Sequence, residues 1–232
     1  MSTPDINDQP AGEPRKLAGA GLRRLRLRSV AAAAAAIAFG SLYFFVRQQL
    51  KDGVWGFDLY LFNKSLATAS LFLVTLSMIL TGIGYFSRRP GRALAFRKHY
   101  GLAGFWVGAA HGLVSHLLLP SRFPLPAWTF EHPVASATGL AALVLFGAMA
   151  ASSSAGVKGR LGGELWRKGL RYVGYAALVV ACVHAGILKW ASWVNYFGSF
   201  GSVLPSLSLP VVLFAVAAVI LRVFVWRSAK GR

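Results

Sequence analysis

Three histidines, His111, His116 and His184, lie in stretches of sequence that otherwise hold no charged side chain, while His99 and His132 fall at the ends of such stretches. An ionisable group held away from water is costly, so those three need an explanation that the other two do not. Neutral imidazole is the commonest axial ligand of heme iron, and a low-spin heme between two helices takes one histidine from each at similar depth. If helices start near Tyr100 and Leu170, a rise of about 1.5 Å per residue puts His111 roughly 16 Å in, His116 roughly 24 Å and His184 roughly 21 Å. Depth alone therefore admits His184 with either partner. His111 and His116 are about 140° apart around a helix, so they cannot both face one neighbour.

Small residues discriminate between them. Gly104 and Gly108 stand seven and three positions before His111, and Ala177 and Ala181 hold the same offsets before His184. Each ligand candidate thus ends a smooth strip on its own helix, which favours His111 with His184 and makes Gly104, Gly108 and Ala181 candidate cofactor contacts. The same glycines, continued by Gly112, also read as an ordinary small-xxx-small helix contact with no cofactor. His116 remains open as an alternative ligand, a propionate or quinone contact, or a polar group satisfied by Ser115 or Ser121. Cys182 is the only cysteine. That excludes an internal disulfide, a covalent C-x-x-C-H heme attachment and a self-contained iron–sulfur site.

The elements that must position these side chains follow from composition. With 56% hydrophobic and 14% charged residues, the chain reads as an all-α polytopic membrane bundle. Six stretches lack Asp, Glu, Lys and Arg: Ser29 to Val46, Ser65 to Ser87, His99 to Ser121, His132 to Val157, Tyr172 to Leu188 and Trp190 to Leu221. Pro205 and Pro210 suit a loop and a first helical turn, which starts the last helix near Leu209. The expected organisation is a basic, partly disordered tail (1–28), a six-helix domain (29–226) and a short tail (227–232). Its spans lie at about 29–46, 65–87, 100–120, 133–153, 170–188 and 209–226. Residues 1–14, with three prolines and few apolar side chains, are the expected disordered part.

A net charge of +18 invites a nucleic-acid reading. The arrangement of the basic residues argues instead for membrane orientation, with no nucleic acid as partner. The N-terminal tail, the second–third and fourth–fifth connections and the C-terminus hold 20 of the 25 basic residues. Arg47, Lys51, Lys64, Arg122 and Lys189 are left for the other side, so both termini are expected in the cytoplasm. Tyr43, Phe44 and Phe45 resemble an interfacial belt rather than a signal-peptide cleavage site. Gly156, Gly159, Gly162 and Gly163 lack the lysine and hydroxyl residue of a phosphate loop and read as a flexible turn.

Read continuously, Arg97-Lys98-His99-Tyr100-Gly101-Leu102-Ala103-Gly104-Phe105-Trp106-Val107-Gly108-Ala109-Ala110-His111 resembles the third-helix motif of the ferric-reductase-like transmembrane family. Its pattern is a basic pair, a Leu-Gly or similar step, and a histidine ten residues after that glycine, matched here by Gly101 and His111. Trp166-Arg167-Lys168, then Tyr172, Tyr175 and His184, is similar to the family's Trp-Lys-Arg-Leu-His segment with its distal histidine. The resemblance covers about residues 60–190, and the nearest branch is the heme-binding membrane subunit of the bacterial periplasmic methionine-sulfoxide reductase system. Where the family often has a second histidine near the start of helix five, this chain has Gly169 and Leu170. One heme b is therefore expected, in the outer half.

The resemblance implies a bacterial inner-membrane electron-transfer subunit rather than a complete enzyme. A two-histidine heme has no open coordination position and moves electrons. With no flavin or dinucleotide fingerprint after the last helix, the expected donor is a separate FMN- or FAD-bearing reductase or membrane quinol. The expected acceptor is a periplasmic redox partner or ferric iron. Trp128, Phe130, Trp190, Trp193, Tyr196 and Phe197 form an interfacial belt or line a quinone site, and Arg122 and Lys189 neutralise heme propionates or snorkel to lipid phosphates. The alternative function is a non-heme small transporter or assembly factor whose buried histidines bind protons or a metal.

Overall fold

The structure, a computed structural model, describes residues 13–53, 55–86, 90–153, 163–199 and 203–230. The chain forms α1 (Glu13–Asp52), α2 (Leu59–Phe86), α3 (Pro90–Leu113) ending in a π-helical turn (Val114–Leu118), the short α4 (Leu125–Glu131), α5 (Pro133–Ser152), α6 (Gly163–Ser199) and α7 (Ser208–Lys230). Six of these helices are long and apolar enough to cross a membrane: Arg23–Asp52, Leu59–Ile83, Phe96–Leu118, Pro133–Ser152, Gly169–Ser199 and Ser208–Ser228.

The number of spans is as expected, but several helices overrun the charge-free windows. α1 is continuous from Glu13, so most of the basic segment before residue 29 is helical; residues 1–12 of the expected disordered part lie outside the described residues. Leu, Ala and Arg are all strong helix formers, so a charge ends an apolar window without ending a helix. For the same reason α2 begins before Lys64 and α6 runs through Lys189 to Ser199. Gly156, Gly159 and Gly162 of the expected flexible turn also lie outside the described residues.

Local chemistry sets several ends. Gly53, with φ of 68°, takes the left-handed conformation after α1 and returns its N–H to the Gln49 carbonyl at 2.9 Å, a glycine-terminated helix end. Asp58 Oδ1 accepts the Leu61 N–H at 2.8 Å and caps α2. Pro133 opens α5 at the first helical position, where no N–H is needed. The loop before α7 is tied to α1 by Tyr43 donating to the Pro205 carbonyl at 2.9 Å and by Arg47 Nε donating to that of Leu204 at 3.1 Å.

α2 is the hub, packing on α1, α3 and α7 and more lightly on α6, while α5 pairs with α6. Its contacts use small residues, as expected where lipid gives no hydrophobic push between helices and close backbone approach supplies the attraction. Val74 and Met78 of α2, Leu178 of α6, and Ala215 and Ala218 of α7 form a buried core. Phe39, Leu42, Trp106, Val144, Ile220 and Phe224 face outward, leaving an apolar belt suited to lipid contact.

Candidate functional site

His111 lies in the last turns of α3, and its partners come from α2. The Asn63 side-chain amide donates through Nδ2 to Ser115 Oγ at 2.8 Å, and Ser115 Oγ donates to the His111 carbonyl at 2.8 Å. That leaves Asn63 Oδ1 as the acceptor for His111 Nδ1, also at 2.8 Å, with the Asn63 backbone carbonyl at 3.2 Å from the same nitrogen. Both neighbours of Nδ1 are acceptors, so the network assigns the proton to Nδ1 and leaves a lone pair on Nε2.

His184 is held in the same manner from another direction. Its Nδ1 lies 2.8 Å from the Ala135 carbonyl on α5, again an acceptor, so Nδ1 donates and Nε2 is left with its lone pair. Room for the ring comes from Gly139, one turn further along α5: a Cβ there would stand 2.8 Å from His184 Cε1 and 2.9 Å from Nδ1. Gly139→Val is therefore expected to force the imidazole off Ala135 at an overpacking cost of about 1–3 kcal/mol. Thermal unfolding in detergent checks this. Gly139→Val should melt several degrees lower than wild type, and adding His184→Ala should recover most of the loss, because the clash is with that ring alone.

His111 and His184 are held on different helices by partners from α2 and α5, and the other candidates are engaged elsewhere. α3 and α6 share no extended backbone packing. Gly104 and Gly108 face α2: a Cβ on Gly104 would meet Val74 Cγ2 at 2.7 Å, one on Gly108 would meet Ser70 Oγ at 2.7 Å, and Ser70 Oγ donates to the Gly104 carbonyl at 2.8 Å. Ala181 is half-buried on α6. His116 lies in the π turn with Nδ1 at 3.2 Å from the Phe123 carbonyl, which pins the following loop.

Cations and aromatic rings gather at the same end of the bundle. Lys64 Nζ lies 4.0 Å and the Arg122 guanidinium carbon 4.2 Å from the Tyr60 ring centre. Phe123 lies 4.9 Å from Trp128, which lies 4.3 Å from the exposed His132. Trp193 is buried and donates to Ser208 Oγ at 3.1 Å, so it packs rather than forming part of a belt. Phe130, Trp190 and Phe197 are exposed.

The donor set suits the group expected from the sequence. Among the described residues no three of His, Cys, Asp and Glu come together, and a site with two imidazoles fits a metal that brings its own equatorial ligands, as heme iron does. Each imidazole already has its Nδ1–H on an oxygen, the outer-sphere arrangement typical of metal-ligating histidines. Asn63, Ala135, Gly139, Tyr60 and Lys64 are not among the sequence candidates, and Ser115, expected beside His116, instead joins Asn63 to the His111 carbonyl. Asn63 was the detectable one, an amide inside an otherwise apolar helix, but taking Lys64 as a window edge placed it in a loop. Neither a family model nor a curated protein matches this sequence.

Proposed function

We propose that the chain is a membrane b-type cytochrome in which His111 of α3 and His184 of α6 hold a single heme. The observation that carries this reading is the matched state of the two imidazoles: on different helices, each donates Nδ1–H to an oxygen and keeps its Nε2 lone pair. Such a heme supplies one-electron transfer and offers no open coordination site. The protein's own part is to hold both rings in the ligating tautomer, to exclude water with apolar helices, and to offer Lys64, Arg122 and Lys189 as counter-charges for carboxylates at that end of the bundle.

The likeness of Gly101 to His111 and of Trp166 to His184 to ferric-reductase-like motifs supports this reading, as does the placement of 20 of 25 basic residues on alternate connections. With both termini cytoplasmic, the bacterial inner membrane is the proposed location, and the heme would lie in the periplasmic half. Electrons would pass from a cytoplasmic flavin reductase or quinol to a periplasmic redox partner or ferric iron. Purified protein from heme-replete cells is expected to give a b-type reduced-minus-oxidised spectrum with one heme per chain. Folded protein without that spectrum overturns the proposal in favour of a transporter or assembly factor, and two hemes per chain would overturn the single site.

A further inference from the structure

We infer that Asn63 is the positioning residue of His111, setting how strongly its Nε2 donates to a metal; this rests on the reading of His111 and His184 as heme ligands. Asn63 is 2% exposed, and both ends of its amide are engaged. Together with Ser115 it closes a chain of three hydrogen bonds that returns to the His111 backbone: His111 Nδ1 to Asn63, Asn63 to Ser115, and Ser115 to the His111 carbonyl. The chain joins α2, α3 and the π turn, and it holds the ring and its carrier segment from two directions.

An amide at this place is a specific electronic setting. A ligating histidine becomes a stronger donor as the acceptor on its other nitrogen becomes more negative. A neutral amide oxygen at 2.8 Å gives moderate strength. A carboxylate would make the bond charge-assisted, draw the proton from Nδ1 and favour the oxidised metal. An aliphatic side chain would leave only the Asn63 backbone carbonyl at 3.2 Å, keeping the tautomer but weakening the donor. Asn63 also ties α2 to α3, a contact that matters for stability. Stability and donor strength are separable, because the potential of bound heme responds to donor strength and local polarity and not to the stability of the bundle as such.

The test is a redox titration of the heme in wild type, Asn63→Leu, Asn63→Asp and Ser115→Ala, with Gly112→Ala as a control whose added Cβ meets neither Asn63 nor Ser115. The midpoint potential is expected to fall in Asn63→Asp, rise in Asn63→Leu and rise less in Ser115→Ala, with the two-histidine spectrum retained. Should Asn63→Asp fail to fold, the other two variants decide. Heme-bound Asn63→Leu and Ser115→Ala with the wild-type potential overturn the positioning role and leave the cytochrome reading standing. A heme-free measurement separates the two further: nitrogen-15 spectra of histidine-labelled apoprotein should show His111 protonated at Nδ1. A proton on Nε2 overturns the assignment whether or not heme binds.

Discussion

His111→Ala and His184→Ala are each expected to abolish the b-type spectrum, with heme retained on purification falling more than about 100-fold. Loss of an outer-sphere partner of a metal ligand already costs about 10–100-fold in affinity, so losing the ligand itself must cost at least that much. Among the described residues no third His, Cys, Asp or Glu joins the pair. His116→Ala is expected to keep the spectrum. Its Nδ1 contact to the Phe123 carbonyl ties down a loop, so its loss should lower stability by about 0.5–1.5 kcal/mol. Spectra of the three variants at matched protein concentration check all of this. Loss in His116→Ala with retention in His111→Ala would move the ligand by five residues.

The second large effect concerns the fold. Gly104→Val should strongly destabilise the bundle, because the added Cβ would stand 3.0 Å from the Val74 nitrogen and 3.1 Å from the Ser70 carbonyl oxygen, both backbone atoms of α2 that cannot swing aside. Overpacking of this kind costs about 1–3 kcal/mol. Separating the helices would also stretch the hydrogen bond from Ser70 to the Gly104 carbonyl. Gly112 is the internal comparison: nothing stands within 4 Å of the place its Cβ would take. Gly112→Ala should leave stability unchanged or raise it by up to about 1 kcal/mol through helix propensity. Unfolding in graded denaturing detergent reads both, and equal behaviour of the two variants would contradict the close α2–α3 seam.

Much of the bundle was legible because the physics involved is one-dimensional. Runs without charge, long enough for about 30 Å of hydrocarbon, locate six spans, and Pro133 fixes the start of α5 to the residue. Helix ends were read less well, since Arg23 to Arg28, Lys64 and Lys189 end a charge-free run without disturbing a helix. His111 and His184 stood out as ionisable groups among apolar neighbours. Their surroundings did not: a strip such as Gly104 and Gly108 signals a close approach without naming what approaches, and here it is α2. Asn63 and Gly139 reach their histidines only through tertiary pairing, across 48 residues in the case of Asn63. No residue pattern announced the π turn.

That turn makes chain length, rather than side-chain identity, the variable on which one end of α3 depends. Val114–Leu118 holds one residue more per turn than an α-helix needs, closed by the Leu119 N–H reaching the Val114 carbonyl at 3.1 Å. Deleting one residue there would close the turn to α-helix with its flanks nearly in register, whereas deleting one from the α-helical part of α3 would rotate everything beyond it by about 100°. Phe123 and Arg122 would both swing away from the Tyr60 ring, with every amino acid of that loop still present. Insertions and deletions, more than substitutions, are the changes to which this corner of the molecule is most exposed.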